Sequence, residues 1–347
     1  MKENIRTLTK EELKEKIVGY GEKPFRAGQI YDWLHVKLAR SLDDMSNVSK
    51  ALKASLAEDY HCDGLKIVEV QTSAIDGTKK FLFGLPDGNV IESVWMKYKS
   101  WDSVCISSQV GCKMGCKFCA STLDGCVRSL TAGEMLDEVY TIQKYTGERV
   151  SNIVVMGSGE PMDNYDNIVK FVRMISNEDG LHISQRNITV STCGLVPQMY
   201  KLAEEKLEIT LALSLHAPND EKRKALMPIA NKYSLKEVIA ACKNYFEKTG
   251  RRLTFEYALV AGNNDSDKDA AELAELIKGI NAHVNLIPVN PIKERNFKRS
   301  DMGAVNRFKN KLEKMRINVT IRREMGSDID GACGQLRRKH MEESSGC

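Results

Sequence analysis

The sequence predicts an α/β protein, an incomplete (β/α)6-type barrel with a small helical domain at its N-terminus. Three observations carry this expectation. From Ser103 onward, β-rich runs alternate with helical patterns about six times, which calls for parallel strands joined by crossover helices. Helix starts inside that region are marked by capping boxes, Thr131 with Glu134 and Ser234 with Glu237. Residues 1–60, by contrast, read as a succession of helices.

Taken in order, Thr9 with Glu12 is a capping box that opens the first helix. PFRAGQIYDWLHVKL and SKALKASLAEDY continue with apolar residues three to four apart. The strand-like runs KKFLFGL and NVIESVWMKY follow, separated by the turn Pro86-Asp87-Gly88, and predict a hairpin within a linking region over 61–102. The alternation then runs SVCIS, helix 132–145, SNIVVMG, helix 165–176, RNITVS, helix 197–205, and on through EITLALSL, RLTFEYALV, HVNLIPVN and INVTIRR. Residues 103–340 are therefore assigned to the barrel and 341–347 to a tail. An open doubly wound sheet is the other arrangement such repeats allow. In either fold the site sits at the C-terminal ends of the strands, so the residues just after each run are the functional candidates.

Composition narrows the class. The chain of 347 residues is 42% hydrophobic and 28% charged, and no apolar run approaches the roughly 18 residues of a membrane span. Its start, MKENIRTLTKEELKEKI, lacks the apolar centre and small-residue cleavage site of a secretory signal, so a cytoplasmic protein without a membrane partner is expected. Ten cysteines in a reducing compartment argue for metal ligation or catalytic thiols over a disulfide framework. Residues 291–347 hold 14 Lys+Arg against 8 Asp+Glu, an excess that suits a polyanionic partner and equally an ordinary solvated basic face.

The densest chemical signal is Gly111-Cys112-Lys113-Met114-Gly115-Cys116-Lys117-Phe118-Cys119, a C-x3-C-x2-C loop after a strand. Three thiolates on a four-iron cluster leave one iron without a protein ligand, where a small molecule can chelate. Structural zinc asks for four closed ligands, and no second CxxC or HxxxH pair lies nearby; a nonenzymatic zinc-binding RNA module is the alternative of another class. Further polar groups end the predicted strands: Gly157-Ser158-Gly159-Glu160-Pro161, Ser191-Thr192, Ser214-Leu215-His216-Ala217, and Asn290. Taken alone, Cys105 reads as a buried apolar residue, Cys242 as helix core, and Glu92 as an ordinary hairpin glutamate.

The cysteine spacing, with Phe118 before the last ligand, resembles the signature of radical S-adenosylmethionine enzymes. In these the open iron binds the amino and carboxylate groups of the cofactor, which the reduced cluster cleaves to a 5′-deoxyadenosyl radical. With QVGCKMGCKFCAST, the GEP segment, SLHAPND, NLIPVNP and DIDGACGQL in order, the chain resembles bacterial dual-specificity RNA methyltransferases of the RlmN type from Lys23-Pro24-Phe25-Arg26 to Leu336. That resemblance implies a [4Fe-4S] cluster on Cys112, Cys116 and Cys119. It implies S-adenosyl-L-methionine held by Gly159, Glu160, Ser191, Ser214, Leu215, His216 and Asn290, and an electron donor such as flavodoxin. The implied substrates are adenosine C2 in the peptidyl-transferase region of 23S rRNA and C2 of the adenosine 3′ to the tRNA anticodon. Residues 1–60 would engage RNA, with Lys10, Lys14, Lys23 and Arg26 as candidate phosphate contacts.

Adenine C2 is electron-poor and does not attack a methyl sulfonium as a nucleophile, whereas a carbon radical can add to it. In the family, a methyl group carried on a cysteine becomes that radical, and a second thiolate frees the product by forming a transient disulfide. Cys333, in Gly331-Ala332-Cys333-Gly334-Gln335, matches the methyl carrier, Cys105 the resolving thiol, and Glu92 a proton-handling position. Related enzymes that methylate C8 and confer antibiotic resistance share these cysteines, but Gln109-Val110-Gly111 and Gly159-Glu160-Pro161 look more like the C2 version. One departure is Ser158, where many relatives carry methionine; it is expected to alter packing at the cofactor site.

Overall fold

The computed structural model describes residues 2–290, 295–329 and 335–345. Its N-terminal part is built as the capping signals require. Thr9 accepts from Glu12 N–H and Glu12 returns the bond, opening α1 (Lys10–Gly19); α2 (Phe25–His35) and α3 (Lys50–Asp59) follow. Leu13, Ile17, Ile30, Tyr31, Leu34, Leu52 and Leu56 turn inward to form the domain core. A two-residue parallel ladder of Glu3–Asn4 with Tyr60–His61 ties the two ends of the segment together.

The rest of the chain forms one ten-stranded sheet whose spatial order is the chain order. Its strands are β1 (Lys66–Thr72), β2 (Lys79–Gly84), β3 (Val90–Lys97), β4 (Asp102–Ile106), β5 (Val150–Val155), β6 (Ile188–Thr192), β7 (Thr210–Ser214), β8 (Leu253–Leu259), β9 (Ala282–Pro288) and β10 (Asn318–Ile321). Strands β1 to β4 are antiparallel neighbours, and β4 to β10 are parallel. The crossovers contain α4 (Ala132–Thr146), α5 (Tyr165–Ile175), α6 (Val196–Glu204), α7 (Asp220–Leu226) with α8 (Leu235–Thr249), α9 (Asp267–Leu276) and α10 (Met302–Lys314). A doubly wound sheet needs a reversal in strand order; here there is none, so right-handed crossovers all place their helices on the same face and the sheet curls into a partial barrel. Six crossovers make the predicted (β/α)6 count.

Helix α4 is buried along almost its whole length, from Ala132 to Ile142, because it is covered on both sides. Toward the sheet, Glu138 accepts from Ser107 N–H at 2.9 Å and from the Ser93 hydroxyl. Toward the N-terminal domain, Asp137 pairs with Arg6 at 3.2 Å and accepts from Asn4 at 2.7 Å. Lys10, a candidate phosphate contact, is held at 2.6 Å by Asp179.

Two predictions change. The linking region is a three-stranded extension of the barrel sheet in place of a hairpin, because β1 joins its edge. Its exposed edge position and a bulge between Ile67 and Glu69 leave KIVEVQT without a buried alternating face. Residues 341–345, within the expected tail over 341–347, are the end of a helix, α11 (Gln335–Ser345).

Candidate active site

The C-terminal ends of the parallel strands open into a cavity of about 730 Å³. Its walls bring together Cys112, Cys116, Cys119, Cys105, Glu92, Gly159, Glu160, Ser191, Ser214, His216 and Asn290, residues spread over nearly 200 positions of sequence. Leu215 is the exception among the described candidates. Its side chain is fully buried in the core, and its backbone is committed, N–H to Glu256 O at 3.0 Å and C=O to Arg223 Nε at 3.2 Å. Leu215 follows the last residue of β7, where the backbone turns it into the core while Ser214 and His216 line the cavity.

The cysteine loop leaves the short strand Gln109–Gly111, which pairs with Cys126–Ser129. It is pinned by Cys112 N–H to Gly125 O at 2.7 Å, by Lys117 N–H to Leu226 O at 2.9 Å, and by the Thr122 hydroxyl on the carbonyls of Cys116 and Cys119. Burial pushes the Cys112 thiol up to about 12 and raises Cys116 and Cys119 as well. Buried thiols of this kind ionise when a bound metal compensates the charge. The cavity beside these three thiols leaves room for a cluster and a chelating small molecule. Three cysteines bordering an open space fit a cluster held by three thiolates, whereas structural zinc asks for four closed ligands.

Close backbone approach shapes the opposite wall. A Cβ on Gly157 would lie 2.6 Å from Ile106 O, and one on Gly159, whose φ is +111°, would lie 2.6 Å from Ser108 Oγ and 2.7 Å from Gln109 Cβ. Both positions therefore require glycine. Between them, Ser158 donates its N–H to Ser107 Oγ and accepts from Ser108 N–H and Gln109 N–H. Its side chain is buried beside Ser121, with the two hydroxyls 3.1 Å apart, and does not line the cavity. Ser158 itself is not among the residues that line the cavity, whereas its neighbours Gly157 and Gly159 are. Glu160 lines the cavity but is not a free carboxylate: Oε1 accepts from Met162 N–H at 3.0 Å and Oε2 from Cys193 N–H at 2.8 Å. Burial raises its pKa against the opposing pull of these bonds.

His216 adopts φ 55° and accepts from Ala258 N–H on Nδ1 at 2.9 Å, while its ring meets Phe118 edge-on at 4.7 Å. Burial, aided by Arg223, holds its pKa near about 3. It is a neutral brace between β7, β8 and the cysteine loop. Ser191 donates to Val155 O at 3.0 Å, tying β6 to β5 beside the cavity.

Glu92 and Cys105 enter from β3 and β4. Burial pushes the Cys105 thiol up to about 11, opposed by the Arg322 guanidinium. Glu92 pairs with Lys80 at 3.1 Å, both fully or almost fully buried, and its other oxygen accepts from Arg337 N–H. Cys333 lies outside the described residues; Ile329 and Gln335, on either side of it in sequence, line the cavity. The preceding segment is anchored by Asp328 on the Ser73 hydroxyl and Ala74 N–H, and by Gly326 N–H on Asp76. Sequence reasoning missed Lys80 and the cavity-lining group Glu256, Asn285 and Arg322, in which Asn285 Nδ2 donates to Glu256 at 2.9 Å. Alternation in two adjacent strands, which puts Lys80 and Glu92 on one face, was the available signal for the first.

Comparison with known proteins agrees with this construction. Residues 106–277 match the family model of the Radical SAM superfamily, and residues 3–61 that of the Ribosomal RNA large subunit methyltransferase N-terminal domain. A probable dual-specificity RNA methyltransferase RlmN of Lachnospira eligens is 63% identical, covering 98% of this chain and 97% of its own length. One from Clostridium perfringens strain SM101 is 55% identical over 98% of both. The crystal structure of a radical SAM methyltransferase from Sphaerobacter thermophilus superposes with a TM-score of 0.92 at 43% identity, covering 96% of this chain and 98% of that one. No helix among the described residues is long and apolar enough to cross a membrane. A radical SAM barrel with this cysteine loop, fused to that N-terminal domain, places the chain in the RlmN family of dual-specificity RNA methyltransferases.

Proposed function

We propose that the enzyme methylates C2 of adenosine in the peptidyl-transferase region of 23S rRNA and C2 of the adenosine 3′ to the tRNA anticodon. The observation that carries this reading is the single cavity in which the three loop thiols, Cys105, Glu92 and both flanks of the Cys333 segment meet. Cys112, Cys116 and Cys119 would hold the cluster, and Gly159, Glu160, Ser191, Ser214, His216 and Asn290 line the space for S-adenosylmethionine. Leu215 would contribute only by fixing the strand end. When bound, these groups supply a methyl group and a one-electron route to hydrogen abstraction, with electrons from a donor such as flavodoxin.

Cys333 is the methyl carrier, and Cys105 is the thiol that attacks its sulfur to free the methylated base, leaving a transient disulfide. Glu92, paired with Lys80, has the proton-handling role that its family position implies, and through Arg337 N–H it also fixes the start of the helix that follows Cys333. The N-terminal domain engages RNA; of its candidate phosphate contacts Lys10 is paired with Asp179, and Arg26 lies over the exposed Phe25 ring while donating to Gln29 and Asn47. The test is turnover with both RNAs and methyl-labelled S-adenosylmethionine, followed by nucleoside analysis. Label on adenine C2 in both RNAs is expected, and label on C8 or on neither RNA would refute the reading.

A further inference from the structure

The chain leading to Cys333 runs along the cavity, which Gly326, Ser327 and Ile329 line while Asp328 does not. Asp328 is exposed and reaches instead to the turn between β1 and β2, where it accepts from the Ser73 hydroxyl at 2.5 Å and from Ala74 N–H at 2.8 Å. The turn answers with Asp76, which accepts from Gly326 N–H on one oxygen and from Thr78 N–H on the other, each at 3.0 Å. That turn is held by its own bonds: Ser73 N–H donates to Thr78 O, Gly77 N–H to Ser73 O, and the Ser73 hydroxyl oxygen accepts from Ile75 N–H and Asp76 N–H. Gly326 has φ +63°, and a Cβ on it would lie 3.0 Å from Ile329 and 3.2 Å from Thr78, so turn and cavity wall are in close contact. Beyond Cys333, Arg337 donates its N–H to Glu92 and its Nε to Val90 O at 3.1 Å. The antiparallel extension β1 to β3 therefore holds the chain on both sides of Cys333.

We propose that Asp76 and Asp328 are positioning residues for methyl transfer, a reciprocal clamp that fixes how the chain enters the Cys333 segment. The inference rests on reading Cys333 as the methyl carrier. Neither carboxylate lines the cavity, so both act through the segment they hold. Among the described residues, the next attachments upstream are the Arg299–Glu324 pair at 2.9 Å and Arg322 N–H on Leu286 O at 2.8 Å. Releasing the clamp lengthens the tether on its entering side, and the effective concentration of a tethered group falls with tether length. Loss of a fixed approach matters more, since misplacement by about 1 Å can cost about 100-fold in rate. The clamp bonds are polar and lie at the edge of the sheet, outside the apolar core, so their effect is concentrated on the segment they hold.

The test uses the full-length enzyme, loaded anaerobically with its cluster, beside Asp328→Ala, Asp76→Ala and Asp328→Asn. The last keeps an acceptor for Ala74 N–H. Each is measured for kcat and KM with 23S rRNA, for deoxyadenosine formed per base methylated, and for its urea midpoint. Both alanine variants are expected to lose about tenfold in kcat with the KM for RNA unchanged. They should also form more deoxyadenosine per methylated base, the excess radical being quenched by the added reductant, and Asp328→Asn should recover part of both losses. Unchanged kcat and coupling in the two alanine variants would overturn the clamp. So would a lower kcat at an unchanged ratio of deoxyadenosine to product, the behaviour of an enzyme that is merely less folded. If Asp328→Ala does not fold, Asp76→Ala decides by the same measures, and failure of both to fold would assign these bonds to the fold and overturn the proposal. Peptide mapping of the unaltered protein after incubation with methyl-labelled S-adenosylmethionine separates the two levels: label elsewhere than on Cys333 would overturn the methyl-carrier reading beneath the clamp.

Discussion

Replacing Lys80 by methionine probes the buried Lys80–Glu92 ion pair beside the cavity. Lys80 is wholly buried and Glu92 3% exposed, 3.1 Å apart. Removing one member of such a pair strands the other charge, a loss of about 3–5 kcal/mol, whereas replacing both by apolar groups of similar volume is close to neutral. Glu92 also accepts from Arg337 N–H, and taking that acceptor away costs about 1–3 kcal/mol. Lys80→Met should therefore lower unfolding free energy by about 3–5 kcal/mol, and Lys80→Met with Glu92→Met by only about 1–3 kcal/mol. Anaerobic urea unfolding of the cluster-loaded proteins measures both. Methyl transfer adds a second reading: the double variant regains stability over Lys80→Met but stays inactive, because it lacks the Glu92 carboxylate. A Lys80→Met protein destabilised by less than about 1 kcal/mol, or a double variant no more stable than the single, would refute the reasoning.

Cys112→Ala, Cys116→Ala or Cys119→Ala should each abolish iron loading and cofactor cleavage; normal deoxyadenosine formation in any of them would remove that residue from the ligand set. Cys105→Ala should accumulate a covalent protein–RNA adduct on denaturing gels while Cys333→Ala forms none, and an adduct in the double variant would contradict the assigned order. Glu160→Ala strands two buried N–H groups, of Met162 and Cys193. It should lower stability by about 1–3 kcal/mol for each and raise the S-adenosylmethionine requirement; unchanged binding of that cofactor would show the site to be elsewhere. His35 is buried 2.8 Å from the Tyr140 hydroxyl, and burial lowers its pKa from 6.5 to about 3. As pH falls below 6.5 the unfolded chain takes up the proton first, so stability drops by about 1.4 kcal/mol per pH unit down toward the folded value and is unaffected above 6.5. His35→Phe should abolish this slope, and an equal stability difference between variant and parent at neutral and mildly acid pH would argue against it.

The features legible in sequence are those encoded within a few residues. Capping boxes at Thr9, Thr131 and Ser234 all form as read, because donor and acceptor lie three residues apart on one turn. The parallel strands were visible as apolar runs, and the cysteine loop as a spacing. Even the gathering of Ser191, Ser214 and Asn290 at one cavity followed from their common place at strand ends.

What the sequence could not determine depends on approach across the chain. The edge strand β1 gains its conformation from pairing with β2 and has little burial of its own to announce it. Leu215 faces the core because the backbone path just past β7, with His216 at φ 55°, and not motif membership, decides which side chains of Ser214-Leu215-His216 look into the cavity. Lys80 is an unremarkable charge in KKFLFGL until a neighbouring strand places Glu92 beside it. By itself the sequence determined the fold class, the position of the cysteine loop and the chemistry those residue types allow, since period and spacing are local properties. Tertiary structure alone decided that Ser158 turns to Ser121 and that Glu160 is already bonded to backbone. Those partners are brought together by sheet order and by glycine-permitted backbone contact, across 33 to 37 residues of intervening chain.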